Sequence, residues 1–160
     1  MTDYKTLNRE LAALLEGIAY PVTILANASA LLYNTLEDIN WAGFYLLTDA
    51  TLVLGPFQGK PACTEIAVGK AVCGTAVAER QTQRVPDVHA FPGHIACDSA
   101  SSSEIVIPIY KNNDIIGVLD IDSPAKGRFT EEDQAGLEAF VRILERHLDG
   151  KVILCAPLPI

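Results

Sequence analysis

The stretch from Glu104 to Asp122, EIVIPIYKNNDIIGVLDID, leaves this chain the least freedom. Two apolar runs rich in β-branched residues flank a short polar KNND turn, which is the pattern of an antiparallel hairpin. Side chains alternate faces along a strand, so Asp120 and Asp122 point one way and Leu119 and Ile121 the other. A second pair of strand-like runs, WAGFYLLTDATLVLGPFQG, turns at Thr48-Asp49-Ala50. Two hairpins this apolar need cover on both faces. The expected fold is therefore α+β: a central antiparallel sheet flanked by helices, an α/β/α sandwich.

The cover is legible as helical periodicity. Leu7, Leu11, Leu14 and Leu15 share one helical face, with Thr2 or Asp3 placed to cap its start. Pro21 opens a second run in which Ile24, Ala28, Leu31 and Leu32 recur. Thr130 and Asp133 form a capping-box-like start to a last helix striped by Leu137, Phe140, Val141, Leu144 and Leu148. Between these elements, 58–103 reads as mostly polar loop, with a strand candidate at 65–68 and a helical run at 74–79. Apolar residues keep recurring in it, which argues for packing over disorder, and long ordered loops carry function. With 160 residues, 49% of them hydrophobic, and no repeat or linker, one domain spanning 1–160 is expected. The apolar tail KVILCAPLPI is expected to pack on its own domain, with a homodimer contact as the second reading.

Charge narrows the partners. A formal charge of −8 opposes phosphate backbones and anionic membrane surfaces, so neither nucleic acid nor membrane is an expected partner. No apolar run approaches bilayer length and MTDYKTLNRE lacks a signal-type pattern, which together predict a cytoplasmic protein. Its four cysteines are then thiols in a reducing compartment, where disulfides tend to be transient and catalytic.

Three of the four, Cys63, Cys73 and Cys97, fall in the irregular middle. None forms a C-x-x-C pair, and His89 and His94 do not supply compensating spacing, so no metal is expected. Cys97 sits in PGHIACDSASSS, a polar setting unlike that of a space-filling thiol. A hydrolase built from Cys97, His89 or His94, and Asp87 lacks a local signature, and carboxylates beside Cys97 discourage a persistent thiolate. Cys155, in the tail, reads as a buried hydrophobe. Taken by themselves, Trp41 and Tyr45 read as strand core before they read as a pocket, Asp120 and Asp122 as a solvated strand end, and the two histidines as loop-stabilising residues.

The stretch VCGTAVAERQTQRVPDVHAFPGHIACDSASSSEIVIPI, followed by GVLDIDSP, closely resembles the free methionine-(R)-sulfoxide reductases, single domains of the GAF fold. The resemblance runs from NWAGFYLL through the final helix. It is specific because the cysteine spacing, the CGTA turn, the PGHIACD loop, Glu104 and the two aspartates of LDID match together. A GAF-like strand pattern alone would be weak evidence, since one fold hosts many functions.

The resemblance implies that Cys97 attacks the sulfoxide, that Cys63 is its disulfide partner, and that Cys73 is an auxiliary or alternative resolving thiol. It implies thioredoxin as electron donor, no cofactor, and a substrate pocket lined by Glu104, Asp120, Asp122, Trp41 and Tyr45. Pairing about the KNND turn brings the three carboxyls to one end of the sheet. A carboxyl crowded by others resists ionisation, so one of them is suited to protonate the sulfoxide oxygen or to hold the substrate ammonium. Backbone N–H groups of 99–103 are candidates for the substrate carboxylate. The competing reading is a GAF-type module that senses a small molecule without chemistry.

Overall fold

The computed structural model describes residues 1–95, 97 and 99–148; Cys155 and the apolar tail lie outside the described residues. Helices α1 (Tyr4–Leu15) and α2 (Pro21–Thr35) lead into strands β1 (Trp41–Thr48), β2 (Thr51–Gly59) and β3 (Glu65–Ala67). Helix α3 (Ala71–Glu79), strands β4 (Gln83–Val85), β5 (Ser103–Lys111) and β6 (Asp114–Ser123), and helix α4 (Glu131–His147) follow. The strands form one antiparallel sheet in the order β3-β2-β1-β6-β5-β4.

Both expected hairpins are present. The second turns through Asn112 and Asn113, both at positive φ, as a two-residue turn between twisted strands requires. Asp3 accepts a hydrogen bond from the Thr6 N–H and so caps α1. Thr130 and Asp133 make the reciprocal capping box of α4.

The pleat sorts the side chains into two cores. Ala42, Phe44, Leu46, Ile105, Ile107, Ile109, Leu119 and Ile121 face α1, α2 and α4. Trp41, Tyr45, Leu52, Ile66, Val106 and Val118 face the other way, toward α3 and the 60–64 and 85–91 segments. Among the described residues no helix is long and apolar enough to cross a membrane.

The structure departs from the sequence pattern in a few places. Leu14 is 41% exposed, the α1 stripe being Leu7, Leu11 and Leu15; at 3.6 residues per turn Leu14 falls about 60° from the centre of that stripe, at its solvent edge. Helix α3 begins at Ala71, ahead of the expected Gly74. The loop-like middle also contains β4 and a turn of 3-10 helix at Val88–Ala90.

Candidate active site

The site lies at one end of the face that packs on α3, where the register of three central strands converges. Trp41 on β1 pairs with Asp122 on β6, Gly43 with Asp120, and Asp122 in turn with Glu104 on β5. Asp120 and Asp122 therefore share a face, and Glu104 joins them from the next strand. Helix α3 lays Cys73 over this end. Its close approach needs Gly74, where a Cβ would stand 2.4 Å from the Ala67 carbonyl oxygen. Gly43 has a similar role, since a Cβ there would collide with the Phe57 Cβ and press on the Trp41 ring.

The aromatic residues fix the mouth. The Trp41 ring stacks on Phe57, with centroids 5.1 Å apart, and on Tyr45 at 5.9 Å. Its indole N–H donates to the Lys60 carbonyl (3.1 Å), and the Tyr45 hydroxyl donates to the Cys63 carbonyl (2.9 Å). Two buried rings thus hold the segment that carries Cys63. Cys63 is joined to Cys97 by a disulfide with a Cα–Cα distance of 5.4 Å, which ties Cys97 across the site. Beneath it is a narrow cavity of about 40 Å³. Its lining brings together all eight residues singled out in the sequence except Cys63, whose disulfide partner Cys97 takes part.

The electrostatics are those of acids buried side by side. No lysine or arginine is among the described residues lining the cavity. Burial, and then the charges of Asp120 and Asp122, push the Glu104 carboxyl well above its ordinary range. Burial raises Asp120 to about 6, while its neighbours Glu104, Cys73 and Asp122 restrain the rise. The Cys73 thiol is pushed up by burial and then by the same acids, Asp120 first among them. Glu104 is accordingly the proton-rich member of the group and Asp120 the acceptor at its centre.

His94 also lines the cavity, its basicity lowered by burial and by His89. Sequence pattern gave it no role, and only closure of the loop by the disulfide brings it there. Asp87 pairs with His89 (3.0 Å) and Lys126 (3.2 Å) on the exposed side, so it does not form a triad with His94 and Cys97. In the serine loop, the Ser102 N–H is taken by the Ser123 carbonyl, while Ser101 lines the cavity. A larger open depression of about 870 Å³ at the start of α1 and α4 includes no thiol, and its buried Asp133 is held by Tyr4, Arg128 and Thr130.

A six-stranded antiparallel sheet with helices on both faces and a buried acidic cavity at the end of one of them defines a class. The GAF domain model matches residues 10–148, and the chain belongs to that family. The free methionine-R-sulfoxide reductase of Escherichia coli K12 is 63% identical over 145 residues, which span 91% of this chain and 88% of that protein. The reduced form of the Staphylococcus aureus fRMsr superposes with a TM-score of 0.91 at 56% identity, covering 93% of this chain and 97% of that one. The Neisseria meningitidis free methionine-R-sulfoxide reductase in complex with its substrate gives a TM-score of 0.87 at 41% identity, covering 90% of this chain and 87% of that one. Within the GAF family, the chain belongs to the free methionine-R-sulfoxide reductases, which are oxidoreductases.

Proposed function

We propose that this chain, working as one domain over 1–160, reduces free methionine-(R)-sulfoxide to methionine in the cavity beneath Cys97. The observation that carries the reading is the disulfide between Cys63 and Cys97 directly over a floor of Cys73, Glu104, Asp120 and Asp122. Cys97 attacks the sulfoxide sulfur while the oxygen is protonated; methionine leaves and a sulfenic acid remains on Cys97. The Cys63 thiol then displaces that oxygen as water and closes the disulfide. Two electrons from a dithiol of the thioredoxin class reopen it, in the cytoplasm, where such reductants are kept reduced. Cys73 is held in reserve as an alternative resolving thiol.

Glu104 is the proton source toward the sulfoxide oxygen, since burial among acids keeps its carboxyl protonated. Asp120 and Asp122 hold the substrate ammonium, Trp41 and Tyr45 flank the S-methyl group, and backbone N–H groups of the 99–103 loop other than that of Ser102 meet the carboxylate. In the disulfide form the cavity, at about 40 Å³, is smaller than an amino acid. Opening Cys63–Cys97 therefore precedes substrate entry.

Mass mapping after one equivalent of substrate tests the reading: reduced chain should release one equivalent of methionine and acquire the 63–97 bridge. Steady turnover should consume NADPH through thioredoxin and its reductase. A chain that binds the sulfoxide without releasing methionine is a sensory module, and the reductase reading is then wrong.

A further inference from the structure

The floor of the cavity has the composition of a metal site. Cys73 on α3, Glu104 on β5 and Asp120 on β6 present a sulfur and two carboxylate oxygens that lie within 4.8 Å of one another. All three side chains are buried, at 2%, 9% and 5% exposure. A four-coordinate cation with sulfur at ~2.3 Å and oxygen at ~2.0–2.2 Å draws such atoms to about 3.5 Å apart, which small χ rotations accomplish. Independently, the Asp120 Oδ1 atom is buried without a hydrogen-bond partner, on a residue that lines the cavity. An unsatisfied carboxylate oxygen in such a place is costly unless something positive meets it.

We propose that Cys73, Glu104 and Asp120 bind one thiophilic divalent cation of the zinc class, with the Cys63–Cys97 disulfide closed. One thiolate with two carboxylates suits zinc, cobalt or cadmium; calcium and magnesium require more oxygen ligands than this floor offers. Cavity size agrees, since about 40 Å³ takes an ion and a coordinated water but no larger ligand. The three ligands come from three elements of the rigid core, so the set is assembled before the metal arrives. Binding displaces the thiol proton and whatever protons the two carboxyls hold, and no electron is transferred. The inference does not depend on the function proposed above.

Cobalt is the probe. With Cys63 and Cys97 tied in the disulfide and Cys155→Ser in place, Cys73 is the single thiol left of the four cysteines. Oxidised chain titrated with Co²⁺ should develop a sulfur-to-cobalt charge-transfer absorption saturating at one equivalent, and Zn²⁺ should bleach it. Adding Cys73→Ser should remove the absorption. Asp120→Asn and Glu104→Gln, which keep size and shape, should each weaken binding by ~10-fold or more. Near-ultraviolet circular dichroism checks that each variant is folded, and the two carboxylate variants carry the test if Cys73→Ser is not.

No absorption with Co²⁺ at ~1 mM, an absorption that survives Cys73→Ser, or one indifferent to both carboxylate changes would overturn the proposal. No sulfoxide or turnover enters the measurement. A chain that binds cobalt yet fails to reduce the sulfoxide refutes the reductase reading and leaves this one standing.

Discussion

The two faces of the sheet are built from the same strands and differ by one residue of register. On β6, Leu119 and Ile121 enter the core under α1, α2 and α4, while Asp120 and Asp122 enter the cavity. On β5, Ile105 and Ile107 face the helices and Glu104 the acids. One face is apolar but for the hydrogen-bonded Ser103 and Ser123 at its end and is covered by three helices; the other adds acids, cysteines and stacked rings to its apolar residues, under one short helix and a stapled loop. Stability is concentrated on the first and chemistry on the second, where burying like charges works against folding. Substitutions on the two faces should therefore separate, and some should move activity and stability in opposite directions.

The largest effect belongs to the reactive face. Cys97→Ser should release no methionine even in a single turnover of reduced chain, with the melting temperature of the reduced form unchanged. Full release with the sulfenic acid trapped on Cys73 would reverse the thiol assignment. Next is Glu104→Gln, which keeps the shape and an N–H for Asp120 but loses the proton: the first reduction should slow by ~10²–10⁴-fold. At neutral pH folding must return to Glu104 the proton it loses when unfolded, a cost glutamine does not carry, so stability should rise by about 0.5–2 kcal/mol, read as a higher urea midpoint. A slower and less stable variant would break the division between faces.

On the helical face, Phe140→Ala should cost about 3–5 kcal/mol, while turnover per folded molecule stays near that of the parent. Loss of activity beyond the unfolded fraction would show the faces to be coupled.

The smallest expected effect is a pair of pH slopes of opposite sign, read from urea unfolding in chelator-treated buffer. Asp120 is raised by the fold, so its contribution is complete below about 3.8 and is lost as pH rises through about 6. Asp133 is the reverse case: burial alone would raise it, but hydrogen bonds from Thr130 and Tyr4 and the Arg128 guanidinium hold it below its ordinary value. Its contribution is present above 3.8 and lost as pH falls through that lowered value. Asp120→Asn should flatten the first slope and Asp133→Asn the second; a variant that flattens both would deny that the two aspartates act separately.

Long elements with clean periodicity were legible in the chain itself. The LDID alternation separates Asp120 from Leu119, and the T-x-x-D start of α4 forms its box as the residues suggest. Strand β4 was not legible, because Gln83-Arg84-Val85 has only one apolar residue and takes its conformation from pairing with β5. The cysteine trio and the carboxyls could be named from motif, but the contact of Cys73 with Asp120 joins a helix to a strand far along the chain and has no local signal. His94, Ile95 and Ser101 reach the cavity through loop closure, which no period encodes.

The order of the strands has a consequence for how the chain is made. Strand β1 is central, yet one of its two neighbours is β6, and the Tyr4 hydroxyl donates to Asp133, 129 positions later. The first helices and strands to leave the ribosome thus lack half their partners until nearly the whole chain has emerged. A nascent chain stalled before β6 should expose the apolar side of β1 and depend on holding factors, and release of α4 should be the moment at which the fold becomes protease-resistant.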